Sequence, residues 1–265
     1  MTPETLLAFH DQGRLWDATV RGAGPADLAA AYQGALTVRS LRIARGERPV
    51  GYKIGFTNRT IWQRYGVYAP IWGTVWDTSL TQGDGEGTVS LAATCQPRLE
   101  PEIVFGIAAT PPPNATLEQV YACVEWLAPG FEIVQSHVPD WKFSAAETVA
   151  DSGLHARLLV GRRIAVRELA ASGRALDERL ARAGVKLLHE DRLIETGLGR
   201  NVLDGPLHAL RHFVLEQQRC PAAPRLRAGD VVTTGTWTDA WPVQPGQTWR
   251  AVFDAPIGEL VITLG

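Results

Sequence analysis

The stretch RLEPEIVFGIA (98–108) constrains this 265-residue chain more than any other segment. Glu100 and Glu102 sit one residue apart, at the head of the apolar run 103–108. Continuous apolar runs of this kind suit a strand buried on both faces. In a strand, residues i and i+2 project from one face, about 7 Å apart at Cα, so the two carboxylates point together. Pro101 between them has no N–H for a ladder, which predicts an edge strand or a bulge at that point. FEIVQS (131–136) repeats the theme, with Glu132 ahead of Ile133 and Val134.

Alternating acids often mark the solvent face of a half-exposed strand, but the apolar company argues against that here. A buried carboxylate without a partner is too costly to keep charged. Three convergent carboxylates repel one another and need a cation between them. Oxygen-only ligation suits a hard ion such as Mg²⁺, Mn²⁺ or Ca²⁺. Upstream, GYKIGF (51–56) reads as a short alternating strand centred on Lys53 and flanked by Gly51 and Gly55. Lys53 either snorkels outward or is held in a site. Facing a metal and an apolar wall, its pKa would fall and suit it to proton transfer.

The rest of the chain predicts an α+β fold. Residues 1–48 read as helical: Thr2 caps a first helix with Pro3 at its first position, and a second follows Gly24-Pro25 and ends near Gly46. Residues 49–265 read as a mixed, mostly β body. Strands are expected at TVSL (88–91), 98–108, 131–138, 154–161, 230–237 and in the tail, with a hairpin at 185–199. Thr116 and Gln119 form a capping box for a helix through about Leu127, and another helix begins near Pro206. No linker splits the chain, so 1–265 reads as one catalytic domain.

Composition excludes several classes. The chain is 45% apolar and 20% charged, as an ordered globular protein is. Its net charge of −2, with Lys and Arg dispersed, gives no support for nucleic-acid binding. No apolar run reaches the roughly 18 residues of a membrane-spanning helix, and the N-terminal segment lacks a secretory pattern. Cys95, Cys123 and Cys220 are far apart with no CxxC, so reduced thiols and a cytoplasmic protein are expected. Among the nine tryptophans, Trp62, Trp72, Trp76, Trp141, Trp237 and Trp241 are candidates for an aromatic pocket wall as well as for the core.

Seven segments together resemble the 2-keto-4-pentenoate hydratase / 4-oxalocrotonate decarboxylase group of the fumarylacetoacetate hydrolase superfamily. They are GYKIGFT, GVYAPIWGTV, QPRLEPEIVFGI, EWLAPGFEIVQSHVPDW, ETVADSG, GLGRNVLDGPLHAL and LRAGDVVTTGTWTDAWPVQPG, in family order over nearly the whole chain. The resemblance implies a fumarylacetoacetate hydrolase-like mixed β-roll core and a homo-oligomer. It also implies Mg²⁺ or Mn²⁺ held by Glu100, Glu102 and Glu132, with Lys53 as proton shuttle or carboxylate contact. The segment Thr234, Gly235 and Thr236 is implied to close on the substrate. The activity implied is that of a lyase on a 2-oxo or 2-hydroxy-2,4-dienoic acid, through an enolate that the cation stabilises.

The chain also departs from that group. Hydratases of the group carry acids in the segment that here reads GVYAPIWG, where Tyr68 and Ile71 stand instead. Gln135 and His137 also replace the group's usual residues. Absence of an acid near the metal puts water addition in question, and His137 is a candidate for the acid–base work. Asp151 is a candidate partner for Lys53. Tyr68, Trp72 and Gln135 are candidate substrate contacts. His155, His189, His208 and His212 read as surface or packing residues. Hydratase is the first expectation, a 4-oxalocrotonate-type decarboxylase the second, an acylpyruvate C–C hydrolase the third, and a catalytically silent binding homologue the alternative from another class.

Overall fold

The computed structural model describes residues 1–265. Three helices open the chain: α1 (Pro3–Gln12), α2 (Ala18–Gly22) and α3 (Leu28–Ala44). Thr2 caps α1 by accepting from the Thr5 N–H, with Pro3 where no N–H is needed. Asp27 caps α3 in the same way through the Ala30 N–H.

Fourteen strands follow: β1 (Pro49–Gly55), β2 (Ile71–Trp76), β3 (Leu80–Gln82), β4 (Glu86–Val89), β5 (Arg98–Ile107), β6 (Val124–Val134) and β7 (His155–Val160) in the first half. The second half adds β8 (Ile164–Ala165), β9 (Gly184–His189), β10 (Arg192–Leu198), β11 (Val231–Thr233), β12 (Trp241–Pro242), β13 (Thr248–Phe253) and β14 (Gly258–Leu264). Between them lie α4 (Trp62–Tyr65), α5 (Leu117–Ala122), α6 (Ala145–Ala150), α7 (Val166–Leu169), α8 (Gly173–Arg182) and α9 (Pro206–Arg219).

The strands form two sheets. The larger has the order β2-β1-β11-β5-β6-β7-β3, with β12 beside β5 and β8 beside β6. The smaller has the order β10-β9-β13-β14-β4. Most pairings are antiparallel; β1–β11, β3–β7 and β4–β14 are parallel. This is the mixed sheet content of an α+β fold. One core cluster of 40 buried residues draws on both sheets, with Leu99, Ile103, Phe105, Phe131 and Ile133 facing Leu187, Trp249, Ala251 and Ile262. The alternate residues of β5 and β6 face the other way. There, Val104 and Ala128 pack with Val75, Leu158, Val160 and Val231 in a second layer. This two-sided burial explains the continuous apolar run after Glu102.

Three expectations are corrected. The helix from Thr116 stops at Ala122, and residues 124–134 are one long strand, because Val124, Leu127 and Ala128 are needed in the β5–β6 ladder. Strand β11 is only Val231–Thr233, since Gly235 turns the chain away at φ +94°. Pro101 lies neither at an edge nor in a bulge, for it pairs with Phe131 in the centre of the sheet. Its other side meets the gap between β11 and β12, where the Trp237 N–H donates to the Pro101 carbonyl. A missing N–H costs nothing in that gap.

No helix is long and apolar enough to cross a membrane. The three cysteines are free.

Candidate metal centre

The site is built on the β5–β6 ladder. Glu100 stands directly opposite Glu132, and Glu102 opposite Gly130. Alternation puts all three acids on the face away from the main core. One ligand oxygen from each lies within 4.8 Å of the others. Glu102 and Glu132 are fully buried, while Glu100 opens into a cavity of about 540 Å³.

Lys53 reaches the acids from β1, where it is 3% exposed, and its Nζ lies 3.4 Å from Glu132 Oε2. Strand β1 comes close enough because Gly51 has no side chain: a Cβ there would meet the Val231 carbonyl at 1.9 Å. Glu102 is held by the loop after β11, accepting from the Gly235 N–H at 2.6 Å. Gly235 is obligatory on two counts, its positive φ and a Cβ position 1.9 Å from Thr57 Oγ1.

The electrostatics follow from burial. Burial, then Glu132 and Glu100, push the Glu102 carboxyl well above its usual range. Burial pushes Glu132 up to about 8 against the pull of Lys53, and burial also raises Glu100. Burial alone would lower the Lys53 ammonium, but Glu132, Glu100 and Glu102 together hold it above its ordinary value.

Glu102 Oε1 and Glu132 Oε2 are buried and have no hydrogen-bond partner. Orphaned oxygens of this kind are rare in folded proteins and demand a partner. Three ionised carboxylates beside one ammonium leave two negative charges, which a divalent cation neutralises. The oxygen-only donor set suits a hard ion.

The other expected site residues divide. Thr236 and Gly235 line the cavity, as do Trp141 and Trp237. Thr234 is buried beneath it, its hydroxyl donating to the Ile103 carbonyl. Tyr68 does not line the cavity: it stands 86% exposed beyond the turn that ends α4. Trp72 points instead into the core, stacked on Tyr32 at 4.7 Å. Gln135 is spent on backbone, accepting from the Cys95 N–H and donating to the His155 carbonyl.

His137 and Asp151 pair with each other, not with Lys53. Asp151 Oδ1 lies 2.6 Å from His137 Nδ1 and its Oδ2 accepts the His137 N–H at 2.8 Å. Both are buried outside the cavity lining, with His137 stacked on Trp16. Strand β6 ends at Val134, so the chain carries His137 away from the acids.

Four residues were not expected at the site from sequence. His155, from β7, places its Nδ1 2.8 Å from Glu132 Oε1. Arg64 and Glu195 line the cavity, and Glu195 Oε2 accepts from the Asp239 N–H and from Trp241 Nε1. Arg98 lines it too, lying 4.4 Å over the Trp141 ring.

No protein-family model matches the chain. Curated relatives do match. A 4-oxalocrotonate decarboxylase from a Pseudomonas species is 30% identical over 209 residues, 79% of this chain and 76% of that protein. A 2-keto-4-pentenoate hydratase from Paraburkholderia xenovorans is 32% identical over 210 residues, 79% of this chain and 74% of that protein. Among solved structures, 4-oxalocrotonate decarboxylase from Pseudomonas putida G7, complexed with magnesium and adipate, superposes with a TM-score of 0.87. That likeness covers 100% of this chain and 99% of the other at 24% identity, and shows a shared fold. Fumarylpyruvate hydrolase from Pseudomonas aeruginosa, in complex with Mn²⁺ and pyruvate, gives 0.61 at 16% identity over 82% and 89% of the two chains. With the curated relatives matched over more than two thirds of their length, the chain belongs to the 2-keto-4-pentenoate hydratase / 4-oxalocrotonate decarboxylase group.

Proposed function

We propose that this protein is a divalent-metal-dependent carbon–oxygen lyase acting on a 2-oxo or 2-hydroxy-2,4-dienoic acid, as a 2-keto-4-pentenoate hydratase does. The observation that carries this reading is the cage of Glu100, Glu102 and Glu132, with Lys53 beside it, at the floor of a cavity of about 540 Å³. Glu100, Glu102 and Glu132 would hold Mg²⁺ or Mn²⁺, which would supply positive charge beside the substrate's developing negative charge.

The chain's own residues do the rest. Lys53 holds a proton at Nζ at the edge of the acid cage and passes it to or from the substrate carbon chain. Gly235, tied to Glu102, fixes the loop whose Thr236 and Trp237 close the cavity. Phe56, Ile71, Val134 and Trp141 give it apolar walls. His137 and Asp151 support the α6 region rather than touching substrate. The whole chain, 1–265, works as one catalytic domain, supported by the core shared between both sheets.

A 4-oxalocrotonate-type decarboxylase is the second reading, and specific observations favour it. Ile71 lines the cavity in the segment where the resemblance implies an acid in hydratases of the group, so that acid is not here to serve as a base for water. Arg64 and Arg98 line the same cavity without a carboxylate partner, which suits the second carboxylate of a diacid. Loss of CO₂ needs the electron sink and no water-activating base.

The test is a screen of 2-oxo and 2-hydroxydienoic acids with Mg²⁺, following ultraviolet loss and CO₂ together. Metal-dependent loss of the dienoate without CO₂ supports the hydratase. CO₂ release from a 2-oxo diacid moves the decarboxylase ahead. No turnover with any divalent ion contradicts both. A cytoplasmic homo-oligomer completes the proposal. The free cysteines support a reducing compartment, and the exposed Leu15, Ile43, Tyr68 and Leu193 offer apolar contacts.

A further inference from the structure

We infer that His155 is a positioning residue that aims Glu132 at the cation. The inference rests on the reading of Glu100, Glu102 and Glu132 as ligands. His155 is 2% exposed, with Nδ1 2.8 Å from Glu132 Oε1 and Nε2 2.9 Å from Ser79 Oγ. A cation-bound, ionised Glu132 only accepts, so Nδ1 then carries the hydrogen and Nε2 is left to accept from the Ser79 hydroxyl, whose other acceptor in reach is the Trp76 carbonyl at 3.1 Å. Ser79 is itself placed by the turn between β2 and β3, where its Oγ accepts from the Trp76 N–H at 3.1 Å.

The backbone is shaped for this contact. Regular alternation from Leu158, which pairs with Glu132, would turn His155 to the opposite face of the sheet. A register shift intervenes: Ile133 pairs with Arg157, but Val134 pairs with His155. The extra residue in β7 turns the imidazole back to the Glu132 face.

The result is a division of labour within one carboxylate. Oε1 is taken by His155, and Oε2 is left without a hydrogen-bond partner, 3.4 Å from Lys53. Hydrogen bonds behind metal ligands fix ligand orientation, and removing one typically costs about 10–100-fold in metal affinity or activity. Without His155, Glu132 is free to rotate.

The test uses Mn²⁺ affinity, read from the electron paramagnetic resonance signal of the free ion. It compares the full-length parent with His155→Leu, His155→Gln and His155→Asn. Asn returns an N–H near the Nδ1 position, whereas Gln places it near Nε2 and Leu has none. Leu and Gln are expected to weaken Mn²⁺ binding about tenfold or more, and Asn to restore most of it. Equal affinity in parent, Leu and Gln overturns the inference. Absence of Mn²⁺ binding by the parent overturns the metal reading itself, so the two failures are distinct. The parent also supplies a readout independent of variant folding. In ¹⁵N-histidine spectra, His155 is expected as the Nδ1–H tautomer in the Mg²⁺-saturated parent, with ring signals that differ from those in EDTA. A His155 signal indifferent to Mg²⁺ overturns the inference.

Discussion

Glu100 and Glu132 face each other across adjacent strands, paired in direct register on β5 and β6. Like charges in that position destabilise a sheet. Here the repulsion is deepened by burial of Glu132 and by Glu102 two residues further along β5. The sheet tolerates the cluster because Lys53 offsets part of the charge, and because a divalent cation completes it.

The strain should show as pH dependence. Burial holds Glu132 at about 8 against an ordinary 4.5, so the folded metal-free protein keeps a proton there that the unfolded chain releases. That contribution to stability is full below 4.5 and is lost as pH rises through about 8. Half-buried His10 and buried His155, held well below 6.5, act in the opposite sense only up to 6.5. In EDTA, the thermal midpoint is therefore expected to fall between pH 6.5 and 8, more steeply in the parent than in Glu132→Gln. Saturating Mg²⁺ should abolish the fall. Identical profiles for parent and Glu132→Gln in EDTA would contradict it.

Lys53 should separate binding from turnover. Lys53→Met removes a positive charge from beside the acids, so cation affinity is expected to rise. Turnover should fall by about 10²–10⁴-fold through loss of the proton-transfer group. Isothermal titration with Mg²⁺ and steady-state kinetics check the two directions. A variant that loses affinity and activity together would make Lys53 a structural support only.

Gly235 offers a steric test. Gly235→Ala brings a Cβ to 1.9 Å from Thr57 Oγ1 at a φ of +94°. It should destabilise the protein by about 1–3 kcal/mol from backbone strain alone and displace the N–H that Glu102 accepts. Adding Thr57→Gly removes the clash but not the φ penalty, so partial recovery of the urea midpoint is expected. Full recovery would show that the left-handed backbone carries no cost.

Arg64 and Arg98 should report on the second carboxylate. Arg64→Gln or Arg98→Gln is expected to raise KM for a 2-oxo diacid about tenfold relative to a mono acid of equal length, the worth of one charged hydrogen bond. An unchanged ratio of the two KM values in both variants would remove the case for a diacid.

Much of this site is legible in the sequence. The i, i+2 spacing of Glu100 and Glu102 follows from strand geometry alone, and the echo at Glu132 suggested the partner strand. What local pattern hides is register and direction. His155 reads as a surface or packing residue until the β6–β7 irregularity turns it toward Glu132. Tyr68 sits in the right segment, yet the turn after α4 sends it into solvent, while Ile71 takes the cavity wall. Trp72 alternates with Ile71 and so faces Tyr32 and the core. Pro101 misled because proline suggests an edge, whereas a gap between two partner strands serves as well.

The central claim is that Glu100, Glu102 and Glu132 hold one divalent cation. Mn²⁺ titration of the parent beside Glu100→Gln, Glu102→Gln and Glu132→Gln tests it most directly. One Mn²⁺ per chain in the parent, with sharply weakened binding in each folded variant, is the expected result. Parent-like affinity in any of the three variants would contradict the three-acid site.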